Sequence, residues 1–168
     1  MLENFQIRLA ALEDYCSVLI LLKAIAKWMK NNGINQWQFL LSGGDDEEIR
    51  KAIVHNETFI LLRDKEVIGT FTLSASQSEW DQHIFGKEKR SDSLYLHRLA
   101  IAPEYMGNGL GKEILEWIQM NIRTEKVSLK LNCVAGNSKL NQFYKDHGFE
   151  YIGETDHHSK YRKPLLLK

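Results

Sequence analysis

The run Leu94-Tyr95-Leu96-His97-Arg98-Leu99-Ala100-Ile101 passes through Ala102-Pro103-Glu104-Tyr105-Met106 into Gly107-Asn108-Gly109-Leu110-Gly111-Lys112. A strand pattern enters a glycine-rich turn, and the turn opens a helix. Alternate glycines let the backbone approach a ligand closely, and the first N–H groups of the helix point at whatever occupies the turn. Their partial positive charge favours an anion, a phosphate above all. A plain loop with spare glycines is the alternative. Two better-known phosphate loops are excluded by spacing. A P-loop needs Lys and then Ser or Thr after its last glycine, whereas Lys112-Glu113 follows Gly111 here. A dinucleotide fingerprint spaces its glycines G-x-G-x-x-G, which positions 107, 109 and 111 do not match.

A chain of 168 residues suits one domain with a core that buries roughly two-thirds of the unfolded surface. Its 22 basic residues balance 22 acidic ones, so no global field draws it to nucleic acid or to a membrane surface. The partner is then a small molecule or a locally recognised group. Cys16 and Cys133 are too few for a disulfide framework, and Met1-Leu2-Glu3-Asn4 lacks the basic-then-apolar pattern of a leader. A reducing cytoplasm is expected. The apolar run Val18 to Leu22 is interrupted by Lys23, Lys27 and Lys30, short of the roughly 18 residues that a membrane span needs.

Phe5 to Leu9 alternates as a half-buried strand. From Leu12, apolar residues recur at three and four until Asn31-Asn32-Gly33 stops the helix. Asp45-Asp46-Glu47-Glu48 reads as the acid-rich first turn of a helix running to about His55. Thr58 to Leu62 and Val67 to Leu73 flank Arg63-Asp64-Lys65-Glu66, a hairpin with a four-residue turn. Ser76 to Ser93 reads as one long irregular segment carrying Glu79, Trp80, Asp81, His83 and the basic residues Lys87, Lys89 and Arg90. Loops of that length are usually functional or mobile, and this one is expected to border an acceptor site. Gly153 and the segment from Lys160 suggest a last antiparallel pair. The sum is an α/β chain, a mixed sheet with helices on both faces.

The turn resembles the acyl-CoA pyrophosphate loop of the GNAT superfamily of N-acetyltransferases, whose pattern is Arg or Gln, two residues, Gly, one residue, then Gly or Ala. Here it reads Met106, Gly107-Asn108, Gly109, Leu110, Gly111. A second phrase follows after a helix and the strand Val127 to Val134. Asn137-Ser138-Lys139-Leu140-Asn141-Gln142-Phe143-Tyr144-Lys145-Asp146-His147-Gly148-Phe149 resembles the family's Asn and Phe-Tyr helix. Met106 departs from the pattern and removes a side-chain donor to the pyrophosphate. The resemblance implies a single GNAT-like domain over residues 1–168, with a central, mostly antiparallel sheet. It also implies transfer of acetyl from acetyl-CoA, as co-substrate, to a primary amine of a small molecule or peptide by direct attack in a ternary complex. A non-catalytic acyl-CoA-binding sensor of the same fold is the rival, supported by Met106. A homodimer stays open.

The same resemblance implies residue roles. Backbone groups of Leu99, Ala100 and Ile101 would hold the carbonyl and pantetheine arm, and residues 106–111 the pyrophosphate. Lys112, a cation opposing the helix dipole, would be settled by a bound anion. Asn137 would cap its helix and bond a pantetheine amide. Tyr144 would act as general acid, since a phenol of pKa about 10 and a thiol of about 8.5 are nearly matched. His97 has the titration range of a base, with Glu79, Asp81 or an ordered water as competitors and a structural histidine as the plainer reading. Strand alternation would set Tyr95, His97 and Leu99 on one face and Leu96 and Arg98 on the other. Trp37, Trp80 and Tyr95 are the expected acceptor contacts, Trp37 as an apolar or cation–π wall. His157-His158 would face opposite ways on a strand, so no metal is expected. Neither cysteine suggests a nucleophile, and the apolar strand around Cys133 disfavours a thiolate.

Overall fold

A computed structural model describes residues 5–166. The Met1–Asn4 stretch, read above for a leader, lies outside the described residues. The strands are β1 (Phe5–Leu9), β2 (Thr58–Arg63), β3 (Glu66–Ser74), β4 (Ser93–Ile101), β5 (Ser128–Val134), β6 (Glu150–Thr155) and β7 (His158–Pro164). The helices are α1 (Tyr15–Asn31), α2 (Asp46–Val54), α3 (Glu79–Phe85), α4 (Leu110–Asn121) and α5 (Ser138–Asp146). The strand order is β1-β2-β3-β4-β5-β7-β6, parallel at β4/β5 and antiparallel at β1/β2, β2/β3, β5/β7 and β6/β7. This is the mixed, mostly antiparallel α/β sheet expected. The described residues gather into two compact units, one up to residue 72 together with 98–113 and the other 73–97 together with 114 onward.

In the first unit α1 buries Val18, Leu21, Leu22, Ile25 and Ala26, the three-and-four recurrence that gives an amphipathic helix its core face. They pack with Leu40, Ile49, Ile53, Ile60, Leu62, Ala100 and Ala102. The helix ends where Gly33 takes a φ of +73°, a conformation open to glycine without a Cβ penalty. The β2–β3 turn is two residues rather than four. Asp64 adopts φ 54° and Arg63 already pairs with Glu66. A short aspartate supplies the left-handed residue that a tight hairpin needs, which propensity alone had assigned to a longer loop. At Gly69 an added Cβ would stand 3.1 Å from Ile101 Cδ1 and 3.2 Å from the Ala100 carbonyl. Glycine there admits the end of β4.

The second unit holds the main departure from the sequence reading. The segment from Ser76 is not irregular throughout, since α3 occupies Glu79–Phe85. Ser78 Oγ accepts from Asp81 N at 3.1 Å and Asp81 Oδ2 accepts from Ser78 N at 3.0 Å. This reciprocal cap nucleates a helix too short to show periodicity. The β6–β7 turn is Asp156-His157, with φ of 49° and 61°. His157 therefore lies in the turn, and only His158 begins a strand, so the reading of two histidines on opposite strand faces is corrected.

Arg8 and Asp14 pair through two hydrogen bonds of 2.9 and 3.2 Å, and Asp14 Oδ2 also accepts from Ala11 N at 2.7 Å. The Arg8 hydrogen bond holds the Asp14 carboxyl below its usual range. A depressed carboxylate stabilises the fold above its unfolded pKa, and that contribution disappears as pH falls through the folded value. Asp14→Ala should therefore lower unfolding free energy at neutral pH by about 1–2 kcal/mol. In urea titrations the gap from wild type should close below about pH 3; a gap that persists in acid would assign the loss to something other than the ionised pair.

Candidate active site

The glycine turn belongs to the first unit. Gly107 and Gly109 have φ of 81° and 78°, so both need the left-handed region, and nothing lies within 4 Å of a Cβ built on either. Two exposed, side-chain-free positions thus precede α4. The Asn108 amide donates to Tyr105 O at 3.0 Å and Met106 O at 3.4 Å, bracing the loop from inside. Glu113 N donates to Gly109 O at 3.1 Å, which begins the helical ladder and leaves the preceding amides without intrahelical acceptors. Leu110 is buried, whereas Lys112 is exposed on the first turn and Met106 is half-buried. The arrangement suits a phosphate approached by backbone amides, with Lys112 as a nearby cation.

β4 contains a break. Arg98 has φ 50°, a conformation rare for a non-glycine residue inside a strand. Its guanidinium meets Asp45 Oδ2 at 3.0 Å, with side-chain exposures of 19% and 21%. Burial lowers the Arg98 pKa from its usual value while the Asp45 charge opposes that shift. Alternation holds as far as Tyr95 and His97, both engaged with the segment around α3, but it cannot be carried past Arg98 to place Leu99. The β4/β5 pairing covers only Ser93–Tyr95 with Ser128–Lys130.

In the second unit, His97 Nε2 lies 3.0 Å from Asp81 Oδ2. The histidine side chain is 17% exposed and the aspartate side chain not at all. Of the two, only the imidazole is open to solvent, and the Asp81 carboxylate lies enclosed against it. Glu79 is exposed on the first turn of α3. Trp80 is exposed too. Its indole N–H donates to Asn132 Oδ1 at 3.2 Å, and its ring meets His158 edge-on at 4.9 Å between centroids. Tyr95 is fully buried, with its hydroxyl bonded to Ser91 Oγ at 2.7 Å and to Gln77 Nε2 at 3.2 Å. The expectation that Tyr95 touches an acceptor is not supported by that placement, because ring and hydroxyl are both committed to packing.

The second motif is built as a brace. Asn137 Oδ1 accepts from Leu140 N at 3.2 Å, so the capping role is realised. Asn141 donates to Val134 O at 3.1 Å and Asn137 O at 2.8 Å, and its Oδ1 accepts from the Tyr161 hydroxyl at 2.6 Å. That network locks the start of α5 to the end of β5. Tyr144, buried, sits among the rings of Phe143, Phe149 and Tyr161 at 5.3, 5.5 and 5.9 Å. Burial pushes its phenol well above the usual tyrosine range, with Cys133 adding to the shift. Judged against a thiol in water, the near match expected of this phenol is lost on burial. Cys133 itself is pushed up to about 12 by burial, as its apolar strand implied.

Trp37 is half-buried, holds φ 62° and packs against the core of the first unit, so part of its ring is structural. An open cavity of about 450 Å³ lined by Gln77, Lys89, Arg90, Ser91, Glu125 and Lys126 is bordered by the segment expected to lie beside an acceptor, but by none of the residues given catalytic or acyl-CoA-binding roles. Asp81 was read as a competing base and not as a partner of His97, while Arg98 and Asn141 were not read as site-builders. For Asp81 the signal was the Ser78-x-x-Asp81 capping pattern; for Asn141, its place one turn after Asn137; for Arg98, nothing short of coordinates.

Residues 55–151 match the family model of the acetyltransferase (GNAT) domain. The chain is 37% identical over 145 residues to "Uncharacterized N-acetyltransferase YesJ" of Bacillus subtilis (strain 168), covering 86% of this chain and 81% of that protein. A GNAT-family acetyltransferase from Listeria monocytogenes 4b F2365 superposes with TM-score 0.83 at 26% identity over 96% of this chain and 95% of that one. The PaiA N-acetyltransferase of Thermoplasma acidophilum, solved in complex with coenzyme A, shares the fold with TM-score 0.74 at 20% identity, over 95% and 98% of the two chains. A glycine turn of this geometry and the capped Phe-Tyr helix thus lie in a chain whose sequence and fold both match one family: the protein belongs to the GNAT acetyltransferases.

Proposed function

We propose that the protein is an N-acetyltransferase that moves acetyl from acetyl-CoA to a primary amine of a small molecule or peptide within a ternary complex. The catalytic domain in this reading spans residues 1–168 and works in the cytoplasm. Among the described residues no helix is long and apolar enough to cross a membrane. The observation that carries the reading is the loop at Gly107 and Gly109, two left-handed, open glycines ahead of a helix start.

The chemistry is assigned residue by residue. The pyrophosphate takes the amides of residues 107–111 with Lys112 beside them, and backbone groups of Leu99, Ala100 and Ile101 hold the acyl arm and its carbonyl. Fixed backbone donors cost no reorganisation as the oxyanion develops. Trp80 and the free part of Trp37 offer aromatic walls to the acceptor. The amine nitrogen attacks the thioester carbon, forming the C–N bond, and its proton passes to His97. The C–S bond then breaks with its electron pair on sulfur, and the thiolate takes the Tyr144 proton. Solvent returns one proton to Tyr144 and accepts one from His97, so the products are the amide and CoA thiol. No cysteine step is needed in this reaction, and Cys133 is buried with its thiol held protonated. Met106 is the observation that favours a non-catalytic acyl-CoA sensor, and turnover itself separates the two readings.

Acetyl-CoA should raise the melting temperature, because a ligand that binds only the folded state stabilises it by mass action. Gly109→Ala should bind it at least about tenfold more weakly, while the strained left-handed alanine costs about 1–2 kcal/mol of stability. No thermal shift for the wild type at millimolar ligand would overturn the assignment. Met106→Arg should tighten binding, since a charge-assisted hydrogen bond is worth about 1.5–3 kcal/mol before solvent exposure reduces it. Unchanged affinity by calorimetry would show that amides and Lys112 already satisfy the phosphate.

Tyr144→Phe keeps the ring and deletes only the hydroxyl. Its single-turnover rate should fall at least about tenfold, toward the 10²–10⁴ typical of general acid catalysis, with acetyl-CoA affinity intact. Because burial raises the Tyr144 pKa, its proton stays bound across the working range. The wild-type to variant ratio should therefore be flat from about pH 6 to about pH 9. A ratio below about threefold would assign proton delivery to water.

A further inference from the structure

We propose that Asp81 is a positioning residue for His97. Its buried carboxylate fixes the imidazole as the Nε2–H tautomer, so that Nδ1 is the nitrogen that takes the acceptor amine's proton. The inference rests on the reading of His97 as the base and says how that base is made ready. Asp81 has no side-chain exposure. Its Oδ2 receives both the Ser78 N–H at 3.0 Å and His97 Nε2 at 3.0 Å, while Oδ1 is buried with no hydrogen-bond partner among the described residues. An ionised carboxylate only accepts. The ring nitrogen that faces it must carry the hydrogen, and in a neutral ring that makes Nδ1 the lone-pair nitrogen. Nδ1 has no hydrogen-bond partner among the described residues, and the ring, unlike the carboxylate, is partly exposed.

The unpartnered Oδ1 adds an electrostatic argument. A buried carboxylate with only two donors, both on one oxygen, is undercompensated. It gains most when a positive charge forms beside it, which is what happens when His97 accepts the amine proton. The arrangement is specific because Asp81 does two things with one oxygen. It accepts the backbone N–H of Ser78 at the start of α3 and holds the ring of His97 on β4, and the Ser78 hydroxyl takes no part in the bond to the ring.

That double duty dictates the variants. Asp81→Asn can keep an oxygen at the Oδ2 position for both donors while removing the charge. Asp81→Ala removes charge and acceptor together. Ser78→Ala weakens the same cap without touching the bond to the ring. Nitrogen-15 NMR of histidine-labelled protein, with His97 assigned by its disappearance in His97→Gln, should show a single Nε2–H tautomer in the wild type and a mixture in Asp81→Ala. With acetyl-CoA and an accepted amine, Asp81→Asn should lose at least about tenfold in kcat, a part of the 10²–10⁴ that a positioned base contributes, with the amine KM within about threefold. Ser78→Ala should keep wild-type kcat. An Nδ1–H or mixed tautomer in the wild type, an Asp81→Asn with undiminished kcat, or a Ser78→Ala loss as large as that of Asp81→Asn would each overturn the proposal. If His97→Gln destroys turnover while Asp81→Asn does not, the proposal alone fails; if His97→Gln keeps full turnover, the reading of His97 as base fails and takes the proposal with it.

Discussion

The left-handed backbone at Arg98 is the constraint on which the arrangement of β4 depends. An L-residue in that region costs about 1–2 kcal/mol and persists only where its surroundings over-determine it. Here the guanidinium is largely buried against Asp45, and breaking such a pair would leave an uncompensated charge, a far larger cost than the strain. Asp45 stands immediately before α2, so the helix start and the strand break are tied by one ion pair. On the N-terminal side of the break, Tyr95 and His97 reach the elements around α3. On the C-terminal side, Ala100 and Ala102 are small enough to enter the core beneath α1.

The elements with long apolar periods were legible because burial enforces them. α1 repeats at three and four over seventeen residues, and β5 alternates half-buried and buried positions along its whole length. The glycine turn was legible because its spacing has few uses. What escaped was governed by one or two residues at a time. The hairpin lengths turned on Asp64 and Asp156, whose short polar side chains tolerate positive φ. α3 turned on a capping pair, since only Asp81 and Ile84 of its seven residues are buried. The break at Arg98 has no local signature, because the ion pair that stabilises it joins positions 45 and 98. The surroundings of Tyr95 were not legible for a related reason: its position on the strand could be read, but the Ser91 and Gln77 groups that bond its hydroxyl come from a segment read as irregular.

Burial divides the labour between the two proton-handling residues that the proposed mechanism names. His97 is partly exposed and backed by a buried carboxylate, so it can exchange a proton with an incoming amine and with solvent. Tyr144 is enclosed by Phe143, Phe149 and Tyr161, and its raised pKa makes it a poor acid if judged against a thiol in water. That comparison uses the wrong reference. If, as the proposed mechanism has it, the thiolate is expelled beside Tyr144, it too would be denied solvation, and desolvation raises the proton affinity of any anion. Burial acts in the same direction on the Cys133 thiol, which is pushed up to about 12. Phenol and departing thiol would therefore rise together, and the match that their solution values suggest is restored at a higher level. The enclosure that makes Tyr144 reluctant to ionise also keeps its hydrogen in place, which is what the proposed role as proton donor to a newly formed anion requires.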